Sequence, residues 1–198
     1  MADDAATAPK HGEAAGPWAR FLAKRIDGLV VILLSMLVGM LLAAIDLFTG
    51  TALLDILLMS PPIVSFVANA VVTLLLWFAY DVVLLAAFGK TLGKTVMGVS
   101  VTQDGGRPGL GAVAKRSALV LPLGLGLGLP FLSLIGAIWG YVQVENRGST
   151  VWDRISGTQV IGKAIGWWRW AIGILVWVGV SAVIVLTMIA RLSAYLGQ

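Results

Sequence analysis

Of the 198 residues, 59% are hydrophobic and only 12% charged, with a formal net charge of +4. Soluble domains average about 45–50% apolar and about 25% charged residues, so this is the composition of an integral membrane protein. The absence of cysteine excludes disulfides, thiolate metal sites and a cysteine nucleophile, and the single histidine, His11, speaks against an imidazole metal centre or a histidine-dependent triad. So modest a positive charge reads as Lys and Arg placed at the cytoplasmic ends of helices, not as a nucleic-acid patch.

Met1 to Pro17 is rich in Ala, Asp, Gly and Pro, has no apolar run and lacks the features of a signal peptide. The expectation is a disordered cytoplasmic tail over 1–17. Arg20-Phe21-Leu22-Ala23-Lys24-Arg25-Ile26-Asp27 then runs directly into an apolar segment. On a helix Arg20 and Asp27 share a face with Lys24 between them. An acidic side chain at the mouth of a membrane helix is costly unless paired, which makes Asp27 a candidate functional group. The plainer reading is an ion pair at headgroup level that orients the helix.

The first span is expected from about Ile26 to Leu47 and the second from about Pro62 to Phe88, both beyond the ~20 apolar residues a bilayer requires. The loop between them, Asp46 to Pro61, contains no Lys or Arg, whereas Arg20, Lys24 and Arg25 precede the first span and Lys90 and Lys94 follow the second. This asymmetry places the N-terminus and the Lys90 side in the cytoplasm.

Asp81 lies inside the second span, about two turns before Lys90, roughly 13 Å along the axis. If Asp27 and Asp81 share a depth, two carboxylates in a low-dielectric site resist joint ionisation and one holds a proton that a cation displaces, with Arg20 or Arg116 limiting the remaining negative charge. The alternative is that Asp81 pairs with Lys90 or Lys94, or snorkels to water. Asn69, Thr73 and Tyr80 form one polar stripe of this helix, either lining a path or bonding to neighbouring helices. Ser35 is expected to bond back to its own helix.

Gly89 to Arg116 is too polar to span. Val96 to Val101 reads as a short cytoplasmic strand leading into a turn at Asp104-Gly105-Gly106. Gly89-Lys90-Thr91-Leu92-Gly93-Lys94-Thr95 does not have the spacing G-x-x-x-x-G-K-[ST] or the flanking elements of a phosphate loop. It reads as an interfacial turn whose lysines meet anionic headgroups. Leu119 to Val144 is apolar, yet Pro122, Gly124, Gly126, Gly128 and Pro130 interrupt it. Basic residues flank both ends, which leaves a re-entrant hairpin or one kinked span. Gly136-Ala137-Ile138-Trp139-Gly140 suits close helix contact.

Asp153-Arg154 follows in a second polar segment, where Asp153 is expected to pair with a basic residue such as Arg116. Gly157 permits a turn, and Thr158 to Ile161 is a candidate strand beside Val96 to Val101. Trp167, Trp168 and Trp170 with Arg169 form an interfacial belt before a last span, Ala171 to Ala190. The side reached by the C-terminus depends on whether 119–144 crosses.

Three stretches carry a resemblance: Arg20…Asp27; Gly89-Lys90-Thr91-Leu92-Gly93-Lys94 followed by Gly98-Val99-Ser100-Val101; and Trp152-Asp153-Arg154-Ile155-Ser156-Gly157-Thr158. In that order they resemble the signature of the RDD family, named for one arginine and two aspartates. The resemblance covers roughly Trp18 to Ile161 and implies that Arg20, Asp27 and Asp153 are the named trio. It also implies a small, mostly prokaryotic multi-span protein of the plasma membrane, described as transport-related, with sodium/proton antiport attributed to some members. The appended last span and Asp81 depart from the pattern.

The expected fold class is an all-α integral membrane protein with three to four transmembrane helices, one segment re-entrant or kinked, and a small cytoplasmic β-hairpin-like element. Its parts are the tail 1–17, a membrane domain 18–162 and an added helix 163–198. The transport or ion-pair candidates are Arg20, Asp27, Asp81 and Asp153. The structural or interfacial candidates are Gly89, Lys90, Gly93, Lys94, Arg116, Arg154, Gly157 and Thr158. No metal, cofactor or enzymatic set is read from the chain. The expected partners are a bilayer with anionic headgroups, a monovalent cation with a proton, and a second copy or another membrane protein. The two functional readings are a small cation/proton exchanger and a non-transporting scaffold or accessory subunit.

Overall fold

In the computed structural model, residues 14–51 and 61–196 are described. Helices α1 (Pro17–Thr49) and α2 (Pro62–Phe88) are followed by one turn of helix, α3 (Leu92–Val96), and strand β1 (Val99–Thr102). Then come α4 (Leu110–Leu125), a 3₁₀ turn (Gly126–Gly128), α5 (Pro130–Arg147), short α6 (Val151–Ser156), strand β2 (Gln159–Gly162) and α7 (Trp167–Leu196).

Helix α1 is 33 residues long, about 50 Å, against a hydrocarbon core of about 30 Å. It begins at Pro17, a residue whose ring is preorganised for a first helical turn. Most of the excess over the expected span is the stretch that carries Arg20, Lys24 and Arg25, with Asp27 just inside the span. Both α1 and α2 are long and apolar enough to cross a membrane. Their outward faces stay exposed, as at Met36, Met40, Phe66 and Leu75. In a soluble protein such faces would be buried; in a bilayer they meet lipid. α7 packs on α1, with Gly173 against Leu22 and Trp177 edge-on to Phe21 at 5.7 Å between ring centres.

The interrupted segment 119–144 folds as two helices joined at a turn. α4 continues through Pro122 to Leu125 and α5 returns from Pro130. Arg116, near the start of α4, contacts Asp153 just beyond α5, so the chain doubles back.

The strand content is smaller and less local than expected. Leu92–Val96 is helical, and β1 begins only at Val99. β1 pairs antiparallel with β2, Val99 opposite Gly162 and Thr102 opposite Gln159. The strand expected at Thr158 to Ile161 thus pairs with the one near Val99, while the local hairpin after Val101 forms no sheet. The local turn closes only as an isolated bridge between Gln103 and Gly106. The tail expected over 1–17 largely lies outside the described residues, but Ala14 to Gly16 belong to the fold. Ala14 bridges to Ile161, and buried Ala15 donates its N–H to the Val160 carbonyl at 3.0 Å. The apolar core sits under this sheet, where Leu22, Ala23, Ile26, Leu85, Met97, Val99, Val101 and Val113 meet.

Candidate functional site

Above that core the polar residues of five elements converge. Asp27, on α1, is buried and its carboxylate is closely surrounded by donors. Oδ1 accepts from the Tyr80 hydroxyl at 2.7 Å and the Gly93 N–H at 2.8 Å; Oδ2 accepts from the Thr91 hydroxyl at 2.6 Å. Lys94 Nζ lies 3.7 Å from Oδ2. Three of these partners come from the turn after α2. Gly89 ends α2 in a left-handed conformation (φ 70°), a shape in which an L side chain is strained. Thr91 caps α3, and Gly93 follows at the point of closest approach to α1.

Asp81 lies on α2 and is also buried. Its Oδ2 accepts from the Ser117 hydroxyl at 2.6 Å, and Arg116 Nη1 lies 3.7 Å from the same oxygen. Its Oδ1 takes Lys94 Nζ at 3.3 Å. Lys94 therefore stands between Asp27 and Asp81. An ammonium between two carboxylates supplies the neutralisation that the sequence reading assigned to a shared proton. Of the two lysines considered for Asp81, Lys94 is the partner; Lys90 is exposed.

Asp153, in α6, is 1% exposed. Oδ1 accepts from Arg116 Nε at 2.9 Å; Oδ2 accepts from Arg20 Nη1 at 3.2 Å and from the Thr150 hydroxyl at 2.7 Å. The expected Asp153–Arg116 pairing is formed. The Arg20–Asp27 pair is not. The Arg20 guanidinium is taken up by Asp153 and by three carbonyls, Ala15 at 2.8 Å, Gly148 at 2.9 Å and Val160 at 3.2 Å. Seven residues of separation on one face gave way to a planar fork that fits several acceptors at once.

Three carboxylates and three cations thus form one chain of charge, Arg20–Asp153–Arg116–Asp81–Lys94–Asp27, linking α1, α2, α3, α4 and α6. Buried charges are tolerated when paired and fully hydrogen-bonded, and each carboxylate here has at least three donors or cationic neighbours. Gly157 ends α6, and buried Thr158 donates its N–H to the Asp153 carbonyl at 2.9 Å, which fixes the turn into β2. Arg154 is exposed and outside the charge chain. Of the polar stripe on α2, Tyr80 joins the site, Asn69 bonds back to the Ser65 carbonyl, and Thr73 lines a cavity. Ser35 bonds back to Val31, as expected.

The sequence reading missed Thr91, Ser117 and Thr150 as ligands of the aspartates. Thr150-x-x-Asp153 is a capping-box spacing and was available as a signal; Ser117 has none. Lys24 was placed between Arg20 and Asp27, but its ammonium donates to the Gly124 carbonyl at 3.0 Å. A cavity of about 590 Å³ opens beside the charge chain, bordered by Asp81, Lys94, Arg116 and Lys24 and walled by apolar side chains. No group of residues suited to holding a metal ion is found among the described residues.

A model of the RDD family matches residues 14–157, a range that includes every member of the charge chain. No curated protein and no solved structure matches the chain.

Proposed function

The chain belongs to the RDD family, a family of membrane-associated domains, and from that premise we propose that it is a small multi-span exchanger of a monovalent cation for a proton, in a prokaryotic plasma membrane. The observation that carries this reading is the unequal saturation of the three aspartates. Asp27 and Asp153 each accept three or more hydrogen bonds from groups other than lysine. Asp81 Oδ1 depends on Lys94, at the cavity wall. When the Lys94 stem swings out, Asp81 is left short of one positive charge, which either a proton or one monovalent cation entering from the cavity restores, so the two compete for one carboxylate. Asp27 and Asp153 then serve as the fixed frame.

The proposed topology follows the Lys/Arg asymmetry: N-terminus and sheet in the cytoplasm, α1, α2 and α7 as spans, and α4–α5 as a hairpin entering and leaving on the cytoplasmic side. Three spans enclose little, so the working form is an oligomer of this chain. No enzymatic step is assigned. The rival reading, a scaffold that binds another membrane protein, draws on the full pairing of Asp27 and Asp153, which is what a rigid core requires.

The test is proton flux in proteoliposomes of purified protein on pulses of sodium, lithium or potassium. Exchange predicts cation-dependent flux that Asp81→Asn and Lys94→Gln abolish in folded protein. Absence of flux from folded, inserted wild-type protein overturns exchange and leaves the scaffold.

A further inference from the structure

Five cations and three carboxylates border the large cavity. Arg20, Lys94 and Arg116 are ion-paired with the carboxylates. Lys24 and Arg25 are the two remaining cations, and among the described residues no carboxylate pairs with either. The Lys24 ammonium makes one hydrogen bond, to the Gly124 carbonyl, and so has two of its three N–H donors left for another acceptor. The Arg25 guanidinium lies over the Phe21 ring, 4.7 Å from its centre. An unpaired ammonium at the inner end of an apolar cavity is expensive without an anion beside it.

The other end of the cavity differs in character. Ile32, Leu134 and Ile138 border it and are also exposed at 42%, 57% and 57%. These residues lie on the apolar surfaces of α1 and α5, so this side of the cavity opens toward hydrocarbon; Trp18 and Tyr141, nearer the start of α1, border it too and are also exposed. A soluble anion entering past Ile32, Leu134 and Ile138 would have to cross an apolar rim. An amphiphile would not, because its tail is at home along the same side chains. A volume near 590 Å³ falls within the ~300–1,000 Å³ of small-molecule pockets.

We propose that this cavity is a binding site for an anionic phospholipid, the phosphate on Lys24 with Arg25 nearby and an acyl chain leaving past Ile32, Leu134 and Ile138. The site shares its cavity with the Asp81–Lys94 pair, but its phosphate contact, Lys24, takes no part in that pair, so lipid binding is read separately from cation flux. It selects a headgroup by charge, and the lipid completes the electrostatics of the hairpin turn around Gly124.

Trp18, Trp77, Trp152 and Trp177 line the cavity and together report occupancy. The experiment titrates detergent-purified full chain with phosphatidylglycerol brominated on its acyl chains and, separately, with brominated phosphatidylcholine, following tryptophan quenching. The expected result is saturable quenching with phosphatidylglycerol bound roughly tenfold more tightly, the worth of one charge-assisted contact. Lys24→Gln is expected to erase that preference and Lys24→Arg to retain it. Ala137→Phe, which fills the cavity without altering charge or adding a fluorophore that the assay reads, is expected to remove saturable quenching by either lipid. Should Lys24→Gln fail to fold, Lys24→Arg and Ala137→Phe decide. Equal binding of the two lipids overturns the proposal. So does an unchanged preference in folded Lys24→Gln, undiminished quenching in folded Ala137→Phe, or displacement of bound lipid by inorganic phosphate alone.

Discussion

The Gly93 N–H donates to Asp27 Oδ1 at 2.8 Å, which seats the turn after α2 directly on α1. A Cβ at position 93 would run into the Ala23 carbonyl and stand 2.9 Å from both the Asp27 backbone nitrogen and its carboxyl carbon. No flexible side-chain end is available to give way, because the obstacles are helix backbone and a carboxylate held by its donors. Gly93→Ala is therefore expected to displace α3 and strip Asp27 of the Gly93, Thr91 and Lys94 contacts together. Thermal unfolding in detergent checks this. The expected result is a Tm lowered well beyond that of Gly111→Ala, where a Cβ meets no neighbouring atom within 4 Å and the backbone is not left-handed.

Asp153 offers a cleaner measure of the buried charges. Removing its charge leaves Arg116 short of its closest partner, at 2.9 Å, and Arg20 of its only carboxylate among the described residues. Breaking a buried pair from one side typically costs about 3–5 kcal/mol. Asp153→Asn is expected to destabilise by about that much in denaturant unfolding. Arg154→Gln, one residue on but exposed, is expected to fall within about 0.5 kcal/mol of wild type.

Tyr80 makes a narrower prediction. Its hydroxyl donates to Asp27 at 2.7 Å and accepts from the Leu92 N–H at 3.1 Å, so it ties the end of α2 to the start of α3. Tyr80→Phe keeps the ring and removes a hydrogen bond to a charged acceptor, worth about 1.5–3 kcal/mol. The loss is expected to shrink when Asp27 is already Asn, since the acceptor is then uncharged. A double-mutant cycle read by unfolding measures the coupling, and additive losses would remove Tyr80 from the Asp27 site.

How far the sequence reveals this arrangement depends on the distance over which each contact acts. Spans α1 and α2 follow from composition over tens of residues, so their positions are legible, and α2 ends at Phe88 as expected. The pairing of Thr158–Ile161 with the strand near Val99, and of Asp153 with Arg116, is legible because few polar segments exist to answer one another. The partner of Arg20 is not. Helical spacing favours Asp27 locally, but the choice belongs to a fold that brings Asp153 across 133 residues of chain. The identification of Lys94 rather than Lys90 as the partner of Asp81 is likewise decided by one turn of helix, α3, which a β-branched pattern conceals. Ser117 could not be found from the sequence at all.

The hairpin α4–α5 yields the last prediction. Pro122 does not stop α4, since the helix runs on to Leu125 and reverses only at the following turn. If α4 and α5 enter and leave on one side, Lys115 and Asn146 face the same compartment as the sheet, and Thr51, beyond the end of α1, faces the other. The chain contains no cysteine, so single replacements Lys115→Cys, Asn146→Cys and Thr51→Cys report without background. All three side chains are exposed in the structure. In right-side-out vesicles a membrane-impermeant maleimide is expected to label Thr51→Cys alone, and the other two only after the membrane is opened. Labelling of Asn146→Cys but not Lys115→Cys in closed vesicles would make 119–144 a crossing segment. That result would also break the proposed topology, because the Arg116–Asp153 contact holds the two ends of the hairpin at one level.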